Sequence, residues 1–168
     1  MKHYAKTPDD DAAMVGKAIP KPTDQPLDYT GLMVKKPWGF EFQVFDNGVC
    51  SIWVACLKPG QAVSMHCHMT KKAMFVPLSP GVTFRTLQGA EPLNDTFSVD
   101  RGVIHSQENN TDQDAYFLEY EWPSNKADLV RHSDRYGREA KGYEGATEMV
   151  PMTTAIPEIF MDMIRKVA

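Results

Sequence analysis

GQAVSMHCH, residues 60–68, is the stretch that decides the fold, together with GVIHSQEN at residues 102–109. His66 and His68 are two residues apart, and alternate side chains of a β-strand point to the same face. A strand here therefore projects both imidazoles to one side, where His105 can join them from a later strand. Three neutral imidazoles bind one divalent ion (zinc, iron, manganese or nickel) and leave coordination positions open. The pattern predicts a metal site formed by His66, His68 and His105.

Short apolar segments separated by turn residues extend on both sides of these histidines. The segments are FEFQVF (40–45), VCSIWVACL (49–57), AMFVPL (73–78), VTFRTL (82–87) and AYFLEYEW (115–122). Asn47-Gly48 is typical of a tight hairpin, and Pro59-Gly60 fits the centre of a type II turn. Many short strands with regular turns predict an all-β protein, a closed antiparallel barrel or jelly roll over residues 31–125.

The two flanks of this barrel have a different composition. Residues 1–30 are rich in proline and contain an Asp9–Asp11 run, which predicts an extended N-terminal arm with no helix or strand of its own. Residues 126–168 begin with a polar stretch, predicted to wrap the barrel as loops. They end in IPEIFMDMIRKVA, whose spacing predicts a C-terminal amphipathic helix. The arm and this helix are the predicted contacts of a homodimer.

Composition narrows the functional classes. The chain has 168 residues, 42% of them hydrophobic, which suits one compact domain. A net charge of -4 without a basic patch argues against a nucleic-acid partner. No apolar run approaches the roughly 20 residues that span a bilayer, and the N-terminus has no apolar signal segment. We therefore expect a cytoplasmic protein that does not interact with membranes.

Two spaced motifs resemble those of the cupin superfamily. The first cupin motif reads glycine, five residues, then His-x-His, and the second ends in glycine, two residues, histidine, three residues, asparagine. The matching residues are Gly60, His66 and His68 in the first motif and Gly102, His105 and Asn109 in the second. The resemblance implies a single jelly-roll barrel with one divalent metal ion in its interior.

Two positions depart from the cupin pattern, and one of them is Asp100, which stands where a proline usually precedes the glycine of the second motif by two residues. Where cupins place a glutamate ligand, this chain has Lys72 or Ala73, so the predicted site has three histidines and no carboxylate. Lys72 either turns to solvent with Lys71, or lies inside as a general base or as a cation for a substrate anion. Water is the simplest further ligand. Other candidates near the histidines are Gln61, Gln107 and Glu108.

The segments KKPWGFEF (35–42) and DLVRHSDRYGREAKGYEG (128–145) resemble the flanks of sugar cupins related to mannose-6-phosphate isomerase. This resemblance implies a small, sugar-like ligand. Trp38 and Tyr136 offer flat faces for a sugar ring, and Arg131 and Arg138 offer charge for a phosphate or carboxylate. The alternative is that Trp38 caps the core and that the arginines belong to a solvated surface.

Three functions are compatible with these residues. The first is a metal-dependent sugar or sugar-phosphate isomerase or epimerase, with Lys72, Glu119 or Glu121 as the base. Glu119 and Glu121 share one face of their strand. The second is an oxygenase with a three-histidine iron site. The third is a carbohydrate-binding cupin without catalysis.

Overall fold

The computed structural model describes residues 1–17, 28–139, 143 and 148–153. Their secondary structure consists of one helix and short strands. In chain order the elements are β1 (Lys2–Tyr4), α1 (Pro8–Met14), β2 (Leu32–Lys36), β3 (Gly39–Asp46), β4 (Ser51–Leu57), β5 (Met65–Cys67), β6 (Lys72–Pro77), β7 (Val82–Thr86), β8 (Gly89–Pro92), β9 (Phe97–Val99), β10 (His105–Asn109), β11 (Ala115–Trp122), β12 (Val130–Ser133) and β13 (Glu148–Pro151).

The strands form two sheets. The larger has the order β1-β9-β6-β11-β4-β3-β2-β13, and the smaller has the order β12-β5-β10-β7-β8. β1 runs parallel to β9, and the other described pairings are antiparallel. This architecture confirms the predicted all-β cupin jelly roll.

The main core lies between the two sheets. Phe75 of β6 and Phe84 of β7 meet there with ring centroids 5.5 Å apart, and Leu57 and Phe117 of the larger sheet pack with them. Neighbouring positions on β3, β4 and β11 point the other way and form a second buried cluster, which includes Phe42. The larger sheet is therefore apolar on both faces, as the continuous run SIWVACL indicates.

Both predicted turns are present. Gly48 has a φ of +78°, and the Asn47 side chain accepts hydrogen bonds from the backbone of Val49 and Cys50. At the second turn the amide of Gln61 donates to the carbonyl of Lys58, with Gly60 at a φ of +70°. A positive φ at the third residue defines the type II turn.

Gly39 lies where β3 passes close to β4. Its φ is +145°, and a Cβ there would lie 2.1 Å from the carbonyl oxygen of Cys56. We expect Gly39→Ala to lower the free energy of unfolding by about 3 kcal/mol or more, since backbone must move to remove the clash. Gly89→Ala is the matched control, because Gly89 has a φ of +151° and nothing within 4 Å of its Cβ position. If urea denaturation showed that both variants lose the same free energy of unfolding, this steric explanation would be contradicted.

The prediction for the N-terminal arm is wrong over residues 2–14. β1 extends the larger sheet, and α1 begins after Thr7 with a capping box, in which the Thr7 hydroxyl and the Asp10 carboxylate each accept the other's backbone N–H. Asp10 is fully buried and accepts a hydrogen bond from the amide of Ile104 at 2.9 Å. This part of the arm therefore packs on its own barrel, beside the second histidine motif.

The prediction of wrapping loops after residue 126 is also wrong in part. β12 pairs with β5 in the smaller sheet, and β13 pairs with β2 at the edge of the larger sheet. The predicted C-terminal helix lies outside the described residues. Within the described part of the chain, no helix has the length and apolar character needed to cross a bilayer.

Candidate metal centre

The three histidines of the two motifs meet inside the barrel. His66 lies in β5 directly opposite His105 at the start of β10, and His68 follows β5. The ring centroids are 4.6 to 5.4 Å apart, and the possible ligand nitrogens all lie within 4.8 Å of one another. All three rings are buried. The structure thus brings together the residues that the spacing predicts as ligands.

Hydrogen bonds fix the orientation of each imidazole. Each Nδ1 lies at hydrogen-bond distance from a backbone carbonyl oxygen, which can only accept, so each Nδ1 carries the proton. His66 donates to the carbonyl of Ser64 at 2.7 Å, His68 to that of Asp128 at 2.5 Å, and His105 to that of Val103 at 2.9 Å. The Nε2 atoms of His68 and His105 are buried and have no hydrogen-bond partner among the described residues. Such lone pairs suit a divalent metal ion.

The electrostatic environment keeps these imidazoles neutral. Burial lowers the pKa of His105 to about 4. The pKa of His66 is lowered well below its usual value, mainly by burial and to a smaller extent by the charge of His105. The pKa of His68 is lowered in the same way, mainly by burial and to a smaller extent by Lys71. Neutral imidazole is the form that coordinates a metal. The three side chains are therefore ready to act as ligands at neutral pH.

Asp128 supports this arrangement from outside the site. Its carboxylate accepts hydrogen bonds from the backbone amides of Met69, Thr70 and Lys71 at 2.7 to 2.9 Å, while its carbonyl holds His68. One residue thus fixes both the second histidine and the turn after it. Sequence reasoning did not identify this role, because no local pattern links two segments so far apart along the chain.

A small cavity, partly open to solvent, lies beside His66 and His68. Ionisable side chains of both signs line it. Among the described residues, these are Lys36, Lys71, Lys126, Arg131 and Arg138, with Glu41, Glu119 and Glu121. Cations outnumber carboxylates in this lining by five to three, before any bound metal is counted.

The two glutamates of β11 both line the cavity, as strand alternation predicts, but they have different surroundings. A carboxylate oxygen of Glu119 lies 3.9 Å from Nε2 of His68, and the other lies 3.7 Å from Nζ of Lys126. Burial raises the pKa of Glu119 to about 7, against the opposing effect of Lys126. Glu119 is thus a carboxylate next to the proposed ligands.

Glu121 is held more tightly. It lies 2.7 Å from Nζ of Lys71 and 3.4 Å from Nζ of Lys126, and it accepts a hydrogen bond from the Ser51 hydroxyl at 3.2 Å. Burial alone would raise its pKa, yet the charges of Lys126 and Lys71 lower it. Its oxygens are therefore already engaged by protein groups.

Lys126 joins the acidic residues of the cavity. Its Nζ is 3.1 Å from Glu41 as well as near Glu119 and Glu121, and it lies 4.0 Å from the centre of the Trp53 ring. Burial opposes ionisation of Glu41, but Lys126 and Lys36 hold its pKa at about 2. Sequence reasoning missed Lys126 and Glu41. For Glu41 the alternation with Phe40 and Phe42 predicts only that it faces the side opposite to the phenylalanines, and in the structure that side is the cavity.

The structure places Lys72 on the solvent side, the first of its two predicted alternatives, and this position does not suit the predicted role as a base. Its side chain is 41% exposed, binds Asp100 at 2.6 Å and does not line the cavity. Lys71 is the lysine inside the barrel: its side chain is 1% exposed and pairs with Glu121. The cause is the turn at Met69–Thr70, which interrupts strand alternation between His68 and the two lysines.

We expect Lys71→Met to lower the free energy of unfolding by about 3 kcal/mol, because it removes the nearest cation from a buried carboxylate. Lys72→Met is the matched control in the adjacent position. It should cost less than about 1 kcal/mol, since exposed ion pairs contribute little. Urea denaturation of both variants tests the assignment, and a larger loss for Lys72→Met would contradict it.

The predicted substrate-binding residues divide into two groups. Trp38, Arg131 and Arg138 line the cavity, and Arg138 is bound on two sides by Asp134, at 2.7 and 3.0 Å. Tyr136 is not among the lining residues. Its hydroxyl lies 2.9 Å from Oε1 of Gln61 and 3.0 Å from the Ala62 carbonyl, so it is held by protein groups away from the cavity.

The three further ligand candidates also separate. Gln107 lines the cavity. Gln61 is hydrogen-bonded to Tyr136, and Glu108 pairs with Arg85 and Arg135 at a different depression of the surface. Only Gln107 of these three is therefore placed beside the histidines.

Comparisons with known proteins support the fold. No protein-family model and no curated protein matches the sequence. One similar structure is CapF, a capsular polysaccharide assembling protein of Staphylococcus aureus. The match covers 59% of this chain and 33% of the CapF chain, with 19% sequence identity and a TM-score of 0.50. This chain thus spans about a third of the CapF chain.

Two further solved structures match more of their own length. A sugar phosphate isomerase from a cupin superfamily of Silicibacter pomeroyi matches 60% of this chain and 75% of its own, with 18% identity and a TM-score of 0.50. The match with a protein from Klebsiella pneumoniae that has a double-stranded β-helix domain covers 66% of this chain and 88% of that protein's chain, with 16% sequence identity and a TM-score of 0.50. At these identities the likeness concerns the fold alone.

Proposed function

Since this chain has the cupin fold, we propose that it binds one divalent metal ion and is an isomerase or epimerase of a small sugar or sugar phosphate. The observation that carries this proposal is the position of Glu119, whose carboxylate lies 3.9 Å from the inward Nε2 of His68. A base beside a metal site is the arrangement that proton transfer next to a carbonyl requires. The printed name of the Silicibacter protein agrees with this class of reaction.

His66, His68 and His105 would hold the metal, and their fixed tautomers and free Nε2 atoms fit that role. When bound there, the metal would supply polarisation of a substrate carbonyl and an adjacent hydroxyl. The buried imidazoles exclude water from one side of the site. Their hydrogen bonds to backbone carbonyls keep them oriented while the substrate exchanges.

Glu119 would move the proton. It would take the proton from the carbon next to the carbonyl, and the C–H electron pair would enter the enediolate of the substrate. After exchange with solvent, a proton would return either to the opposite face of the same carbon, giving an epimer, or to the former carbonyl carbon, giving an isomer. In the isomerisation the hydroxyl proton would also move to the former carbonyl oxygen. No oxidant or reductant is needed. Lys126 positions the carboxylate by its 3.7 Å ion pair, and Glu121, engaged by Lys71 and Ser51, is left with a positioning role.

A three-histidine iron oxygenase is the second candidate. It is favoured by one observation, namely that the cluster of mutually close ligand atoms contains three histidines and no carboxylate. In that case the iron would need dioxygen as a second substrate, and Glu119 would have no proton to move between carbons.

Deuterium exchange tests the proposal. Metal-loaded protein is incubated in D2O with aldoses, ketoses and their phosphates, and the sugars are followed by NMR. We expect deuterium at the carbon next to the carbonyl, together with an isomer or epimer. Oxygen uptake by the iron-loaded protein without deuterium exchange would favour the oxygenase. The absence of both oxygen uptake and deuterium exchange would favour a carbohydrate-binding cupin without catalysis.

A further inference from the structure

A buried carboxylate outside the cavity contacts the second histidine motif. Asp10 of α1 is 0% exposed, and aspartate is seldom buried to this extent without partners. Its Oδ2 accepts hydrogen bonds from the amide and the hydroxyl of Thr7 at 2.9 and 2.7 Å, which caps the helix. Its Oδ1 accepts a hydrogen bond from the amide of Ile104 at 2.9 Å, 94 residues further along the chain. Capping therefore accounts for one oxygen of Asp10, and the other binds the residue that precedes His105.

This contact reaches His105 through a single peptide group. The amide of Ile104 and the carbonyl of Val103 belong to the same peptide group, which is planar and turns as one rigid unit. The Val103 carbonyl accepts the hydrogen bond from Nδ1 of His105 at 2.9 Å. Hydrogen bonds in such a chain polarise one another, so the carboxylate also makes this carbonyl a stronger acceptor. Asp10 is thus connected to the imidazole of His105 by two hydrogen bonds and one rigid plane.

The end of α1 packs behind the first histidine motif. Cys67 lies between His66 and His68, so its side chain points to the opposite face of the strand. Its Sγ is 3.8 Å from Sδ of Met14, the last residue of α1. Cys67 and Ile104 are both fully buried in the apolar cluster against which Met14 packs. One short helix therefore contacts both motifs from the side opposite to the cavity.

We infer that Asp10 is a positioning residue of the metal centre, which holds the peptide group between Val103 and Ile104 so that the imidazole of His105 stays oriented towards the metal. The inference rests on the metal site of the proposed function and adds a residue to it. A side chain without an acceptor oxygen would leave the Ile104 amide buried and unsatisfied, and the peptide group could turn away from His105. Docking of α1 and binding of the metal then strengthen each other.

Cobalt(II) binding to Asp10→Leu tests the inference. Leucine has no acceptor for the Ile104 amide. We expect the affinity for cobalt(II), measured by competition with a chelator, to fall about tenfold, the lower end of the effect of losing a partner of a metal ligand. The visible absorption bands of the bound cobalt should also change, because they report the ligand geometry. Asp11→Leu is the matched control, since Asp11 is the next residue of α1 and its side chain is 67% exposed.

Asp10→Asn separates positioning from a general loss of stability. Asparagine keeps a carbonyl oxygen for the Ile104 amide, but its NH2 group cannot accept hydrogen bonds from Thr7. We therefore expect a lower melting temperature together with most of the wild-type cobalt affinity and the wild-type spectrum. A folded Asp10→Leu protein with wild-type affinity and spectrum would overturn this inference alone. The absence of cobalt binding by the wild type would overturn the proposed metal site as well.

Amide hydrogen exchange of the wild-type protein gives a test that needs no variant. Linkage requires that zinc strengthen the docking of α1 by the same factor as docking strengthens metal binding, here about tenfold. The amides of α1 should therefore exchange more slowly in the zinc-loaded than in the metal-free protein. The amides of β13, at the far edge of the larger sheet, should change less. Equal changes in α1 and β13 would overturn the inference, because they would report only the overall stabilisation by a bound ligand.

Discussion

Replacing His105 with alanine is expected to remove the bound metal. The Nε2 of His105 is buried without a hydrogen-bond partner in the described structure, and its Nδ1 is held by the Val103 carbonyl. Losing the partner of a metal ligand already costs about 10- to 100-fold in affinity, so losing the ligand itself should cost more than about 100-fold. Elemental analysis of protein purified without affinity nickel, then dialysed against limiting metal, measures this.

The control for this experiment is His132→Ala. His132 lies in β12 and is not part of the histidine cluster, so this variant should keep the metal content of the wild type. His66→Ala should behave as His105→Ala does, which guards against a folding defect confined to one variant. Full metal content in a folded His105→Ala or His66→Ala protein would show that the ligand assignment is wrong.

The fold and the histidine cluster could be predicted because both depend on short-range spacing. His66 and His68 share a face whenever their segment is extended, and Asn47-Gly48 specifies its hairpin locally. The glycine at each motif start adds a fixed turn. Period-two patterns also placed Glu119 and Glu121 together, and the structure has both in the cavity lining.

The N-terminal helix was missed although its signal is in the sequence. Thr7 caps the helix, Pro8 begins it, and Asp10 completes the capping box. The composition of residues 1–30 as a whole, rich in proline and acidic residues, obscured these three positions. Strand β12 was missed for a different reason: Arg131 faces a polar cavity, so the strand has no apolar stripe on that side.

The choice between Lys71 and Lys72 could not be made from the sequence. The two lysines are adjacent, and a turn separates them from the histidines. Strand alternation therefore does not predict which of the two lysines faces the same side as the histidines. The Asp128 carboxylate holds the turn through the amides of Thr70 and Lys71. This contact and the ion pairs of Lys71 with Glu121 and of Lys72 with Asp100 are all long-range, and they leave Lys71 inside and Lys72 outside.

Replacing Glu119 with glutamine is expected to reduce kcat for deuterium exchange by about 10²- to 10⁴-fold, the usual contribution of a positioned general base. Glutamine preserves the shape of the side chain but has no charge and cannot accept the substrate proton. The three histidines are untouched, so the metal content should stay that of the wild type. NMR of the exchange reaction and elemental analysis measure the two quantities on the same preparation.

Glu148→Gln is the control for the loss of a carboxylate, because Glu148 lies in β13 and pairs with Lys35 in an exposed ion pair. Its exchange rate should equal that of the wild type. Wild-type exchange by Glu119→Gln would exclude Glu119 as the base. A joint loss of metal and exchange in Glu119→Gln would instead make Glu119 a metal ligand, since its carboxylate lies near His68 Nε2. Exchange lost with the metal retained is the result expected of a base at this position.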